Sequence, residues 1–149
     1  MIRKILLTAI ILSFLAACEP GPGSDALHSE SIRLPNGRMI QAEVALTQQD
    51  LTRGLMFRES LAMDRGMLFV FPQSGKFNFW MYQCKIPLDM IWLDSGRHIV
   101  EISADTPPCR TAASDCPHFG GNEMSQYVLE LAGGAAAKYG LKKGSELSF

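Results

Sequence analysis

The sequence lacks the local signatures of common catalytic and nucleotide-binding sites. It has no glycine-rich phosphate loop, no Gly-x-Ser-x-Gly turn, no zinc-ligand spacing and no paired catalytic carboxylates. It also lacks an excess of basic residues, since 14 Lys and Arg stand against 15 Asp and Glu for a net charge of −1. Proteins that bind nucleic acid concentrate Lys and Arg on one face. We therefore expect no nucleic-acid partner, no metal and no cofactor.

The apolar run near the amino terminus is too short to cross a bilayer comfortably. It covers residues 5–17, or 13 positions, and follows the basic pair Arg3 and Lys4. Spanning a membrane takes about 20 apolar residues. Residues 1–17 are therefore predicted to be a signal peptide. They end in Leu-Ala-Ala before Cys18, which resembles a bacterial lipobox, so we expect Cys18 to be diacylated and to become the mature amino terminus.

The segment after the lipobox has the composition of a tether. Residues 18–30 contain the expected lipidated cysteine and a stretch rich in Pro, Gly and Ser, which forms flexible linkers. More than one acyl chain gives stable anchoring to membrane lipid. We expect a periplasm-facing protein of the bacterial cell envelope. By resemblance to bacterial lipoproteins, Glu19 after the cysteine favours the outer membrane over the inner. The oligomeric state stays open.

Residues 31–149 are predicted to form a single, mostly β domain. Asn36-Gly37 separates two apolar segments and indicates a hairpin. Helix signals occur twice: Thr47 as a cap with Gly54 as a stop, and an alanine-rich turn at 133–139 ended by Gly140. Further short strands include one at 145–149. We expect an antiparallel β-sandwich or barrel of about seven or eight short strands with two short helices.

Four segments carry a resemblance to a known family. They read RGLMFRESL at 53–61, GMLFVFP at 66–72, FWM at 79–81 and IPLD at 86–89. From about Arg38 to the carboxyl terminus the chain resembles the domain of unknown function 192 family. The resemblance implies a β-sandwich in an extracytoplasmic or anchored domain, and it implies no established reaction. The chain departs from the family where Gln83-Cys84 replaces the usual Asn-Thr.

Asp89 is the most unusual polar residue of the folded part. It lies in the apolar run 88–93, where strand alternation makes both faces apolar. A buried carboxylate needs a cation or several N–H donors. Arg53 and Arg58 are the candidate cations, because a guanidinium pairs with a carboxylate through two parallel hydrogen bonds. The pair would be either the polar part of a ligand pocket or a structural ion pair.

Two further residues complete the candidate ligand site of Arg53, Arg58 and Asp89. Trp80 lies beside Asn78 on an alternating strand, and an exposed Trp next to an amide suits stacking on a sugar or planar ligand. The alternative is that Trp80 belongs to the core. Cys84 replaces a family threonine, and it is either an inert buried thiol or a ligand-contacting one.

The cysteines other than Cys18 predict one disulfide in an oxidising compartment. Cys109 and Cys116 lie in one proline-rich loop, so we expect them to pair and Cys84 to stay free.

Three function hypotheses remain open from the sequence. The first is a lipid-anchored envelope domain that binds a small molecule or an envelope glycan. The second is an enzyme of unknown class acting on envelope material, with Asp89 as acid or base. The third is a structural or assembly lipoprotein.

Overall fold

The structure, a computed structural model, describes residues 27–149. The predicted signal peptide, Cys18 and most of the predicted tether lie outside the described residues. Within residues 27–149 no helix is both long enough and apolar enough to cross a membrane.

The described part is mostly β, with eight strands and two short α-helices, which confirms the predicted class. The strands are β1 (Ser29–Arg33), β2 (Met39–Ala45), β3 (Arg65–Gly75), β4 (Asn78–Trp80), β5 (Leu88–Leu93), β6 (Ile99–Thr106), β7 (His118–Gly120) and β8 (Ser125–Ala132). The helices are α1 (Gln48–Arg53) and α2 (Ala135–Tyr139), and Ala113–Asp115 forms a 3₁₀ turn. Strand β1 begins two residues before the predicted domain boundary, because Ser29 and Glu30 already pair with β2.

Six strands form one open sheet in the order β1-β2-β3-β8-β5-β6. A second sheet contains β4 and β7 alone. The pairing is antiparallel except between β2 and β3, which run parallel, so the large sheet is mixed and does not close into a barrel. Parallel neighbours need a crossover connection rather than a tight turn. The segment 46–64, which contains α1, is that connection.

Both faces of the large sheet are covered, so its central strands are buried on both sides. One face packs against α2 and the carboxyl-terminal segment through residues such as Ile91, Leu129 and Leu147. The other face packs against the β4–β7 ribbon and the segment after α1 through residues such as Leu55 and Trp92. All six residues of β5 are therefore buried, which explains why that strand is apolar at nearly every position.

The local signals in the sequence predict several elements correctly. Gly37 has φ 81° in the hairpin turn between β1 and β2. Helix α1 begins after Thr47, whose side chain accepts the Asp50 N–H, and ends at Gly54. Helix α2 ends at Gly140 in the left-handed conformation. The prediction of a last strand at 145–149 is wrong, because that segment forms only isolated bridges to Arg33 and His98.

The predicted disulfide is present in the loop between β6 and β7. Cys109 and Cys116 are bonded, and Cys84 is the free cysteine among the described residues.

Candidate binding site

Asp89 lies apart from the other candidate residues, on the sheet face that packs against α2. Its side chain is 0% exposed. Oδ1 accepts the backbone N–H groups of Asp105 (2.6 Å) and Gly134 (3.0 Å), and Oδ2 accepts that of Ala136 (2.6 Å). The buried carboxylate is thus stabilised by three N–H donors, and the expected pairing with Arg53 or Arg58 does not occur. The pocket expected around Asp89 does not form there.

Arg58 forms an ion pair that attaches its loop to the sheet, but its partner is Glu43 of β2 and not Asp89. Its two terminal nitrogens donate to the two carboxylate oxygens at 2.8 and 2.6 Å. The hydrogen bond to Glu43 raises the pKa of Arg58. The geometry is bidentate, which fixes the direction of the segment that follows Gly54. Arg53, by contrast, is exposed at the end of α1 and forms no ion pair within residues 27–149.

Three of the candidates, Arg53, Trp80 and Cys84, meet around one small cavity beneath α1. We call it the Glu130 cavity. Its volume is about 40 Å³. Apolar and polar residues both contribute to its lining. The full set is Leu51, Thr52, Arg53, Gly54, Leu55, Met56, Phe69, Phe79, Trp80, Cys84 and Glu130.

Glu130 is the unusual member of this lining. It lies on β8, between Met67 of β3 and Met90 of β5, and is 4% exposed. No protein group hydrogen-bonds its Oε2, the one buried side-chain oxygen or nitrogen of the described residues without a partner. Burial without a charge partner disfavours the ionised form and raises the pKa of Glu130 to about 8. At neutral pH the group is mainly a neutral acid that can donate one hydrogen bond.

Cys84 is half-buried beside the same cavity. Burial, and second the charge of Glu130, raise the pKa of the Cys84 thiol to about 12. A thiol is nucleophilic only as the thiolate. Cys84 is therefore an unreactive, weakly polar residue in the lining of the cavity.

A larger groove adjoins the cavity on the side of Trp80. Its volume is about 520 Å³, within the range of ligand pockets, and we call it the Trp80 groove. Leu51, Thr52, Phe79 and Trp80 line both spaces. The remaining lining residues are Leu46, Gln48, Phe71, Pro72, Lys76, Phe77 and Asn78.

Trp80 forms part of the ribbon that borders this groove. Its indole stacks on His118, with ring centroids 5.9 Å apart, and is tilted against Tyr82 at 5.2 Å. It is half-buried, so neither the fully exposed nor the core expectation holds. The core tryptophan is Trp92, which donates from Nε1 to the Phe77 carbonyl at 2.7 Å. The contacts with His118 and Tyr82 hold the Trp80 indole in a defined orientation at the groove.

A second groove, the Arg58 groove, lies on the other side of α1. It has a volume of about 630 Å³ and includes Leu27, His28, Arg53 and Arg58 in its lining. The two grooves share Leu46, and Arg53 also lines the Glu130 cavity. Helix α1, which has no buried residue of its own, separates the two.

Sequence reasoning missed Glu130, although a signal was present. Glu130 stands between Leu129 and Leu131 in strand β8. A single charged residue inside an apolar strand is the pattern that drew attention to Asp89. The same test applied to β8 would have found Glu130.

The chain belongs to the domain of unknown function 192 family, whose model, described as "Uncharacterized ACR", matches residues 32–149. This confirms the family expected from the sequence. No curated protein matches the chain.

Two solved structures are similar to this one. A Sinorhizobium meliloti 1021 protein, described as "a putative transcription regulator", shares 31% identity with a TM-score of 0.75, and the match covers 85% of this chain and 97% of that one. A protein of unknown function from Novosphingobium aromaticivorans DSM 12444 shares 29% identity with a TM-score of 0.75, over 89% of this chain and 91% of that one.

Proposed function

We propose that this protein is a lipid-anchored domain of the bacterial cell envelope that binds a small molecule or an envelope glycan in the Trp80 groove. The observation that carries the proposal is the groove itself, whose volume of about 520 Å³ suits one or two sugar rings. The anchor follows from the lipobox that ends in Cys18.

The chemistry of the groove supports a ligand with both apolar and polar faces. Trp80 and Phe79 supply aromatic surface, and aromatic rings pack well on the C–H face of a sugar. Gln48, Thr52 and Asn78 supply an amide, a hydroxyl and a second amide on exposed positions. Lys76 adds a charged group to the same lining. Polar groups of this kind fix the orientation of a ligand in a pocket.

The described end of the predicted tether lies outside the lining of the Trp80 groove. Leu27 and His28, the first described residues, line the Arg58 groove and do not contribute to the Trp80 groove. Strand β1, which follows them, is at the edge of the sheet. The described residues of the tether therefore leave the Trp80 groove open.

The direct test is a calorimetric titration of the full chain, purified in detergent, with envelope glycan fragments. We expect Trp80→Ala to weaken binding by about tenfold or more, because a central aromatic anchor dominates such contacts. Phe57→Ala is the matched control, since Phe57 is 52% exposed and lies outside the groove lining. Equal binding by the two variants, or no binding by the wild type, would overturn the proposal.

The description of the Sinorhizobium relative as a transcription regulator is not carried over to this chain. The balance of 14 basic and 15 acidic residues lacks the basic excess that supplies most of the affinity for DNA.

A second candidate function, an acid–base enzyme acting on envelope material, is favoured by one observation. A carboxylic acid with its pKa raised to about 8 stands beside the Trp80 groove. The acid is Glu130 instead of Asp89, because the Asp89 oxygens are enclosed by N–H donors. Mass spectrometry of glycan fragments incubated with wild type and Glu130→Gln would test it: products formed by the wild type alone support catalysis.

A further inference from the structure

The Glu130 cavity is far smaller than the Trp80 groove and suits a small substituent. Its volume is about 40 Å³, against about 520 Å³ for the groove. It shares four wall residues with the Trp80 groove: Leu51, Thr52, Phe79 and Trp80. A ligand lying in the groove could therefore place one side group in the cavity while its ring stays outside.

The lining of the cavity limits the chemistry of that side group. Leu55 and Phe69 are at most 2% exposed and present apolar surface. Glu130 belongs to the same lining, and its Oε2 is buried without a hydrogen-bond partner in the protein. A buried polar atom without a partner costs free energy, and a ligand atom that pairs with it recovers that cost. The matching group has one acceptor oxygen and a small apolar part.

Charged substituents fit the cavity less well. A carboxylate could accept a hydrogen bond from the neutral Glu130 acid, but it would have to leave water, and burying a charge carries a large desolvation cost. An ammonium group would require ionised Glu130, and burial of an ion pair in such a layer carries a large desolvation cost. An uncharged acyl group avoids both penalties, since its carbonyl accepts from the neutral acid and its methyl packs on Leu55 and Phe69.

We propose that the Glu130 cavity is a subsite for an uncharged acetyl-type group, such as the acetamido group of an N-acetylated amino sugar. The carbonyl oxygen of that group accepts a hydrogen bond from the Glu130 carboxyl while the sugar ring stacks on Trp80. The proposal rests on the proposed function, because it assigns the ligand class of the same groove.

Three matched disaccharides test the subsite. N,N′-diacetylchitobiose, chitobiose and cellobiose share a β-1,4-linked backbone and carry an acetamido, an amino or a hydroxyl group at C2. We expect diacetylchitobiose to bind the full chain at least about tenfold more tightly than the other two, the value of one well-made buried hydrogen bond plus a buried methyl. Affinity should fall as pH rises through about 8, where Glu130 ionises.

Variants at Glu130 separate hydrogen bonding from packing. Glu130→Gln keeps an N–H donor and should retain the preference for diacetylchitobiose, whereas Glu130→Leu should abolish it. Trp80→Ala should weaken all three sugars. Near-ultraviolet circular dichroism of the buried Trp92 checks that each variant is folded. A wild type that binds the three sugars equally, or a Leu variant that keeps the preference, would overturn the subsite and leave the groove proposal standing.

A fragment probe tests the subsite without the groove. N-methylacetamide at high millimolar concentration should shift the ¹³C carboxyl resonance of Glu130 in the wild type, and Glu123, an exposed acid, should not respond. If that shift occurs and no disaccharide binds, the acyl subsite stands and the glycan proposal fails. If the Glu130 resonance does not move, the subsite is overturned.

Discussion

The Asp89 carboxylate accepts the backbone N–H of Ala136 at 2.6 Å, across 47 positions of the chain. With the N–H groups of Asp105 and Gly134 it joins the start of β5, the end of β6 and the first turn of α2. The three N–H donors replace the water that an exposed carboxylate would bind. They stabilise the Asp89 carboxylate although it lies in an apolar layer. The role of Asp89 is therefore to hold these three elements together.

Replacing Asp89 by Asn should destabilise the fold. One carboxylate oxygen becomes an amide nitrogen, which places a donor against a backbone N–H donor and leaves buried groups unsatisfied. We expect a loss of roughly 2–4 kcal/mol in the free energy of unfolding, measured by urea denaturation. Asp94→Asn is the matched control: Asp94 also accepts a backbone N–H, from His98, but at an exposed turn. Similar losses in both variants would argue against the proposed role of Asp89.

Glu130 should make the stability of the protein depend on pH. Its pKa is raised from 4.5 in the unfolded chain to about 8 in the fold. Below about pH 4.5 the carboxyl is protonated in both states and the folded state has its full stability. As pH rises from there the unfolded state releases its proton first, so stability falls, and the loss is complete above about pH 8. The total loss is roughly 3–5 kcal/mol.

Glu130→Gln should remove this pH dependence, because the amide stays neutral throughout. Urea denaturation at pH 5 and pH 8.5 measures the effect as a larger drop for the wild type than for the variant. Glu146→Gln alters an exposed carboxylate and should keep the wild-type profile. Parallel profiles for wild type and Glu130→Gln would show that Glu130 ionises normally in the fold.

Cys84 should resist alkylation while the protein is folded. A thiol pKa of about 12 leaves about a thousandfold less thiolate at pH 8 than the ordinary value of 9.0 would. Peptide mass spectrometry after iodoacetamide treatment should show an unmodified Cys84 in the native protein. After denaturation without reductant Cys84 should become modified, while Cys109 and Cys116 remain linked. Alkylation of either loop cysteine would contradict the pairing.

Replacing Cys18 by Ser should release the protein from membranes if Cys18 carries the lipid anchor. Membrane and soluble fractions of cells expressing each variant, compared by immunoblotting, give the measurement, and intact mass should show loss of the acyl chains. Cys84→Ser is the control, since it removes a thiol inside the folded domain and should leave the protein in the membrane fraction. Cys18→Ser remaining fully membrane-bound would exclude lipidation as the anchor.

The sequence predicts those elements whose signals lie within a few residues. Thr47 and Gly54 bound α1, and Asn36-Gly37 forms the first turn, because capping and positive φ depend on local geometry. The prediction of a strand at 145–149 failed because a strand must pair with several consecutive residues of a neighbouring strand. That segment forms only single-residue bridges to other elements. Strand identity is set by pairing across the fold.

The candidate site was predictable in part for the same reason. The burial of Asp89 follows from its apolar neighbours, but its donors are 16 to 47 positions away and could not be chosen from spacing. The expected pairing of Arg58 with Asp89 was wrong, because the carboxylate that Arg58 meets is Glu43 of β2. Asp89 is separated from Trp80 because it lies on the face of β5 that packs against α2, whereas the β4–β7 ribbon covers the other face. Only the packing of the whole sheet determines which face of β5 meets which layer.

The parallel pairing of β2 and β3 has a consequence for how this domain can vary. Two antiparallel strands can be joined by a two-residue turn, whereas parallel strands need a connection of about a dozen residues or more. Segment 46–64 is that connection, and it contributes part of the lining of both grooves. Shortening this connection below about a dozen residues would therefore break the β2–β3 pairing, so its groove-lining residues can be substituted more readily than the span can be deleted.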